Sequence, residues 1–176
     1  MQIRPRDPLL SITSGIAIVG QGLCAIVAGA TLIAAPVMVL ARATVLAGLT
    51  TEAGRPVPGA TIVALAAILL LVAAMAVCAF AFLRHLRRIV ASVGQGDPFV
   101  PANAQRLAAM GWLTLAIEGL SIPVGGIGEW LAATIKDATS DFGISVGGVL
   151  LALILFILAR VFREGARMRD DLEGTV

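Results

Sequence analysis

The sequence predicts an all-α integral membrane four-helix bundle, and three observations support this class. Apolar residues make up 59% of the 176 residues and charged residues only 14%, whereas a typical soluble domain is about half apolar and about a quarter charged. The mean hydropathy is +0.97. Charged residues gather in short segments between long uncharged runs, as expected of helices surrounded by lipid. We therefore interpret residues 1–176 as a single four-helix transmembrane domain.

Four runs are each long enough to cross a bilayer, because a helix needs roughly 20 apolar residues to span about 30 Å of hydrocarbon. The predicted spans cover residues 9–40, 60–83, 107–131 and 142–162. The first span is longer than one crossing requires, and we expect Pro36 to mark a frayed or kinked end. In the third span, Pro123 and the glycines after it predict that the last third is bent or broken.

The basic residues lie mainly on one side of the predicted spans. Ten of the thirteen Lys and Arg residues occur in the N-terminal tail, in the loop between spans two and three, and at the end of span four. Since cytoplasmic segments carry an excess of Lys and Arg, we expect both termini and this loop to be cytoplasmic. Trp112 and Trp130 are separated by roughly 27 Å of helix, so they suit the two membrane interfaces of span three.

The segment between spans two and three combines arginines with prolines. Apolar residues recur at the spacing of one helix face over residues 83–93, so we expect span two to continue as a basic amphipathic helix that ends at Gly94. Pro98 and Pro101 predict an extended turn, and Asn103 is the predicted N-cap of the next helix. The arginines of the basic helix are Arg84, Arg87 and Arg88. Two roles stay open: a lipid anchor worth about 1 kcal/mol per basic residue, or a docking face for a cytoplasmic protein.

Glu118 is an ionisable residue predicted to lie near the middle of the bilayer. A charge at this depth costs several kcal/mol, so such a residue usually faces protein and has a partner. Gln21 lies at a similar depth in span one, and Thr114 and Ser121 are close in sequence. We expect Glu118 to be partly protonated and to hydrogen-bond one of these side chains. A polar contact between helices is favoured over a proton-sensitive switch or an ion path.

The sequence contains no catalytic, cofactor-binding or metal-binding constellation. It has one His and two Cys, and the predicted depths of Cys24 and Cys78 differ by more than a disulfide spans. The GQGDP segment lacks the lysine and the strand–helix context of a phosphate loop. We therefore expect a protein that is not an enzyme, binds no cofactor or metal, and makes no direct contact with nucleic acid.

Two segments of the sequence carry distinctive motifs. The first is LRHLRRIVASVGQGDPFVPANAQRLAAMGW, with a basic helix, a Gly-acid-Pro-Phe turn, a Pro-x-Asn and an Arg-Leu helix start, and the second is LARVFREGARMRDDLEGTV. Together they resemble a bacterial family of small four-span membrane proteins known only as a domain of unknown function, the second segment being similar to the family's tail. This chain departs from the family at Ala108 and Ala109, where members often have more basic residues. The matching residues are Arg84, Arg87, Arg88, Gly96, Asp97, Pro98, Phe99, Pro101, Asn103, Arg106, Leu107, Phe162, Arg163, Gly165, Asp170, Asp171, Leu172, Thr175 and Val176.

The resemblance implies an inner-membrane partner of small helix-turn-helix regulators, which are often encoded beside family members. On this basis we expect a non-enzymatic regulatory or sequestering role, with membrane lipid as a further partner, and a homo-oligomer stays open. The alternatives are an accessory subunit of a membrane complex and a small oligomeric transporter or channel that uses Glu118. The candidate docking residues are Arg84, Arg87, Arg88, Asp97, Pro98, Phe99, Asn103, Arg163, Asp170 and Asp171, and the candidate intramembrane polar site is Glu118 with Gln21.

Overall fold

The computed structural model describes residues 8–95, 97–134, 143 and 145–173, except for the side chains of residues 170, 172 and 173. The helices in this part of the chain are α1 (Pro8–Leu40), α2 (Arg42–Ala53), α3 (Ala60–Gly94), α4 (Pro101–Thr134) and α5 (Val146–Glu173). All of them except α2 are long and apolar enough to cross a membrane. The prediction of an all-α protein with four membrane-length helices is confirmed.

The long helices exceed the thickness of a bilayer. Helices α1, α3 and α4 contain 33, 35 and 34 residues, which corresponds to about 50 Å each at about 1.5 Å per residue. The hydrocarbon core is only about 30 Å thick, so each helix extends beyond it. In α3 the extension is the basic segment that follows Leu83, and it ends at Gly94 as predicted.

The long helices pack in the order α1, α3, α4, α5. Helix α1 packs against α3, α3 against α4, and α4 against α5, whereas the short α2 touches α1 and α3 only slightly. Over the described residues, α1 has no backbone contact with α4 or α5. The four helices therefore form an open row, with α1 and α5 at its two edges.

Small side chains form much of the contact between α1 and α3. Helix α1 packs mainly against α3, and its buried residues are Ala17, Gln21, Ala28 and Ala35. The buried residues of α3 are Thr61, Ile62, Ala73 and Ala76. Small residues let membrane helices approach closely, where dispersion contacts replace the hydrophobic effect as the source of affinity.

Larger apolar side chains pack where α4 meets α5 and cover the outer surface elsewhere. Leu107 and Met110 of α4 form a buried cluster with Leu155 and Ala159 of α5, and side chains of α3 pack against it. On the outside, Leu23, Ile33, Val63, Leu153 and Ile157 are each more than half exposed. A soluble monomer rarely exposes such extended apolar surface, whereas in a bilayer the acyl chains of the lipids contact it.

One end of the molecule is strongly basic. Leu10 lies beside Gly94, Arg106 bonds the backbone of Arg88, and Phe99 lies against Gly165. The start of α1, the end of α3, the start of α4 and the end of α5 therefore share one end, which we call the basic end. Its arginines are Arg84, Arg87, Arg88, Arg106, Arg160, Arg163, Arg167 and Arg169. Its cytoplasmic location stays a prediction.

Neither helix is interrupted at its proline. Pro36 lies inside α1, which continues to Leu40, and Pro123 lies inside α4, which continues unbroken to Thr134. A membrane helix tolerates proline because neighbouring helices and local adjustment satisfy the freed carbonyl.

The helix boundaries differ from expectation at three further places. Helix α4 begins at Pro101 rather than after Asn103, and the Asn103 N–H donates to Val100 O at 2.8 Å. Proline is favoured at the first helical position because its φ is already helical. Helix α2 was not predicted, and it ends at Ala53, where Gly54 caps it with a left-handed φ of 63°. The predicted start of span four, residue 142, lies outside the described residues, and α5 begins at Val146.

Candidate functional site

The turn between α3 and α4 is joined to the end of α5. Arg169 Nη1 donates to Asp97 Oδ1 at 2.6 Å, and the rings of Phe99 and Phe162 are 5.4 Å apart between centroids. The ion pair is partly exposed, so it is worth only about 0–1 kcal/mol. The aromatic pair adds about 0.5–1.5 kcal/mol beyond its buried area. The contact therefore depends chiefly on the rings, and the ion pair sets its register.

A glycine on α5 permits this junction. A Cβ at Gly165 would lie 2.8 Å from the Phe99 ring, which is closer than any real contact. Without that Cβ, the ring of Phe99 lies directly on the α5 backbone. The Phe-Arg-x-Gly pattern of the tail thus has a steric purpose at this position.

Asn103 fixes the turn from within. Its side chain is fully buried. Its Nδ2 donates to Ser92 Oγ at 2.7 Å and to Pro98 O at 2.9 Å, and its Oδ1 accepts from Arg106 Nη1 at 2.8 Å. One amide therefore ties together the end of α3, the turn and the start of α4. Because its side chain is buried, Asn103 holds the turn in place and is not itself accessible at the surface.

The basic helix forms a cleft with α1. Arg87 Nη1 donates to Oε1 of the buried Gln21 at 2.7 Å. Arg84 and Arg88 lie exposed beside it. The cleft has a volume of about 440 Å³ and is lined by Ser14, Gln21, Phe80, Arg84, Arg87, Arg88 and Ala91.

A second basic groove lies between α4 and α5. It has a volume of about 420 Å³, and its charged lining residues are Arg160, Arg163, Glu164 and Arg167. Arg167 and Glu164 approach to 3.8 Å, with side chains 71% and 63% exposed. A pair this exposed leaves the arginines available for other anions. The groove places the docking candidate Arg163 beside the junction of the turn with α5.

Glu118 caps α5 instead of pairing with another span's side chain. Its Oε2 accepts the Ser145 N–H at 2.7 Å, just before α5 begins. A Cβ at Gly148 would overlap Glu118 Oε1, so glycine makes the space that the carboxylate occupies. A negative group at a helix N-terminus is favoured by the helix dipole. This geometry gives Glu118 a structural role.

The contact expected between Glu118 and Gln21 is not formed, because α1 does not pack against α4 and Gln21 instead accepts a hydrogen bond from Arg87. Thr114 donates instead to Met110 O at 2.9 Å. Ser121 Oγ donates to the backbone oxygens of Glu118 and Gly143, at 2.7 and 3.1 Å.

The remaining docking candidates lie at or near the junction. Pro98 is half-buried in the turn, and Asp171 is exposed near the end of α5, while the side chain of Asp170 lies outside the described residues. Sequence reasoning missed Arg169, Ser92, Ser145 and Gly148. Of these, only Arg169 could have been found from the sequence. Its charge has the opposite sign to that of Asp97, and the two residues lie in the two different matching segments. Among described residues, no group of three or more His, Cys, Asp or Glu could hold a metal.

Four apolar helices of membrane length define a multi-pass membrane protein. A family model described as "Protein of unknown function (DUF2975)" matches residues 46–176, most of the chain, and the chain belongs to this family. The match includes α3, α4, α5 and most of α2, while α1 precedes it. No curated protein and no solved structure matches the chain.

Proposed function

We propose that this protein is a non-enzymatic regulatory membrane protein whose basic end binds a cytoplasmic helix-turn-helix transcription regulator. The junction of the turn with α5 carries the proposal, since Asp97 meets Arg169 there and Phe99 meets Phe162. These residues belong to the two segments that resemble the four-span family, although the segments are far apart in the chain. A single surface formed by both segments is more typical of a binding face for one partner than of two independent lipid anchors.

Charge and rigidity favour a protein partner with an acidic surface. Arg160, Arg163 and Arg167 line the groove on α5, and the buried Asn103 holds the adjacent turn. A preorganised surface loses little conformational entropy on binding. Exposed arginines also speed the encounter with an acidic partner, so the affinity is expected to fall as salt is raised.

The resemblance supports the identity of the partner, because it implies that family members are similar to membrane partners of helix-turn-helix regulators. The excess of arginine supports a cytoplasmic location for the basic end, which is the compartment of such a regulator. A regulator held there is kept away from DNA. The regulatory effect is then sequestration, which needs no chemistry from the membrane protein.

The test is co-expression of the full chain with the helix-turn-helix regulator that the proposal expects to be encoded beside it, followed by purification in mild detergent. We expect the two proteins to co-elute. The double variant Arg163→Gln/Arg167→Gln should lose most of the regulator, because it removes two exposed charges beside the junction. The matched control Arg42→Gln/Arg55→Gln removes two charges at the opposite end and should retain it.

Two results contradict the proposal. One is the absence of the regulator from the inserted, monodisperse wild-type chain at low salt. The other is equal loss of the regulator from both double variants, which would indicate general charge attraction without a defined surface.

A further inference from the structure

We propose that the cleft between α1 and α3 is a binding site for the phosphate headgroup of an anionic phospholipid. Arg84, Arg87 and Arg88 supply the cationic wall, and Ser14 and Gln21 of α1 supply the facing polar groups. This site lies on the opposite edge of the helix row from the groove on α5, so the inference is independent of the proposed regulator.

The arginines of the cleft lack counter-ions on the two helices that form it. Helix α1 contains no charged residue, and α3 contains no Asp or Glu. Three cations on neighbouring turns repel one another, and an anion between them removes that repulsion. Arginine also binds phosphate oxygens in a bidentate geometry that suits this role.

The cleft is partly organised before any anion binds. The hydrogen bond to Gln21 orients the Arg87 guanidinium at 2.7 Å, and this bond uses one of the five N–H donors of the group. Gln21 is itself buried, with 6% of its surface exposed. The guanidinium is therefore held at the side of the cleft, which reduces the entropy lost on binding a phosphate.

The surroundings favour a lipid over a soluble phosphate. Val77, Phe80, Arg84, Arg88 and Ala91 follow one another at helical spacing on the same face of α3. Along this face the character changes from apolar to basic where the uncharged run ends. Val77 is 54% exposed, and Phe80 lines the cleft. A headgroup among the arginines would thus have its acyl chains along the apolar part of the same face, and basic pockets between membrane helices bind anionic lipids in this way.

The test is a lipid titration of the detergent-purified full chain, followed by native mass spectrometry. The probes are phosphatidylglycerol and phosphatidylcholine with identical acyl chains. We expect phosphatidylglycerol to bind well above phosphatidylcholine. The double variant Arg84→Gln/Arg88→Gln should weaken phosphatidylglycerol binding about 25-fold, since each basic residue contributes about fivefold. Arg87 is left in place to preserve its bond with Gln21.

The matched control is Arg160→Gln/Arg163→Gln, which removes the same charge at the same end but outside the cleft. It should bind phosphatidylglycerol like the wild type. Equal weakening in both double variants would overturn the site in favour of general charge attraction. Inorganic phosphate that displaces phosphatidylglycerol at comparable concentration would overturn the lipid assignment in favour of a soluble anion. Equal binding of both lipids would overturn the proposal altogether.

Discussion

At the scale of the residue, the contact between Glu118 and the start of α5 shows how a carboxylate inside a membrane-length helix acquires a structural role. Glu118 accepts the N–H of Ser145, and Ser145 Oγ accepts the N–H of Gly148 at 3.4 Å. Gly148 occupies the helix position from which Glu or Gln usually completes a capping box. Here the carboxylate comes from α4 instead, and the missing side chain at Gly148 leaves room for it.

Removing this cap should destabilise the protein. We expect Glu118→Ala to lower the free energy of unfolding by about 1–2 kcal/mol, the usual cost of a lost helix cap. Glu118→Gln keeps an acceptor oxygen and should lose less. Glu129→Ala, at an exposed position on the same helix, is the control. Thermal unfolding in detergent measures all three, and equal midpoints for Glu118→Ala and Glu129→Ala would contradict the capping role.

The two substitutions Gly165→Ala and Gly119→Ala should have opposite effects on the free energy of unfolding. Gly165→Ala forces the Phe99 ring away from α5, at a cost of about 1–3 kcal/mol for overpacking. Gly119 has no neighbouring atom within 4 Å of its Cβ position, so Gly119→Ala should stabilise α4 by about 0.5–1 kcal/mol. Urea or thermal unfolding in the same detergent compares them. Equal destabilisation by both changes would exclude the specific contact with Phe99.

At the scale of the element, the sequence predicts what depends on local pattern and misses what depends on a distant contact. The end of α3 at Gly94 is predictable because the apolar stripe stops there. Helix α2 mixes Arg, Thr, Gly and Glu over residues 42–53, which gives no clear periodicity. Asn103 is predicted as an N-cap but lies inside α4 and anchors the turn. Its partners Ser92 and Pro98 lie across a turn whose shape the spacing does not encode.

Loss of the Asn103 side chain should loosen the turn. Asn103→Ala leaves Ser92 Oγ and Pro98 O without their buried donor, at a cost of about 1–3 kcal/mol. If local opening controls proteolysis, cleavage within residues 97–100 should become about tenfold faster or more. Limited proteolysis followed by mass spectrometry measures this rate. Gln105→Ala, an exposed neighbour, should cleave like the wild type, and an unchanged rate in Asn103→Ala would contradict the anchoring role.

At the scale of the whole molecule, composition and charge clustering were sufficient to predict the class and the four membrane-length helices. They could not predict the open row, because small residues recur on α1, α3 and α4 alike and any of these faces could have paired. They also could not predict that the turn meets the end of α5. That contact depends on the length of α5 and on the position of Gly165, which only the fold brings opposite Phe99.

The basic end should face the cytoplasm. With Cys24 and Cys78 replaced by Ala, single cysteines at Gln105→Cys and Glu52→Cys place one exposed thiol at each end of the molecule. A membrane-impermeant maleimide should label Glu52→Cys in intact cells and Gln105→Cys only after permeabilisation. The opposite labelling pattern would reverse the orientation, and it would place the proposed docking surface outside the cytoplasm.

Binding at the junction is tested most directly by hydroxyl-radical footprinting of the full chain with and without the helix-turn-helix regulator. Phe99 and Met168 are suitable reporters there, since they are 42% and 57% exposed. Trp130, at the opposite end and 43% exposed, is the internal control. We predict that the regulator lowers oxidation of Phe99 and Met168 together and leaves Trp130 unchanged. Unchanged oxidation of both reporters by saturating regulator would contradict the proposed surface.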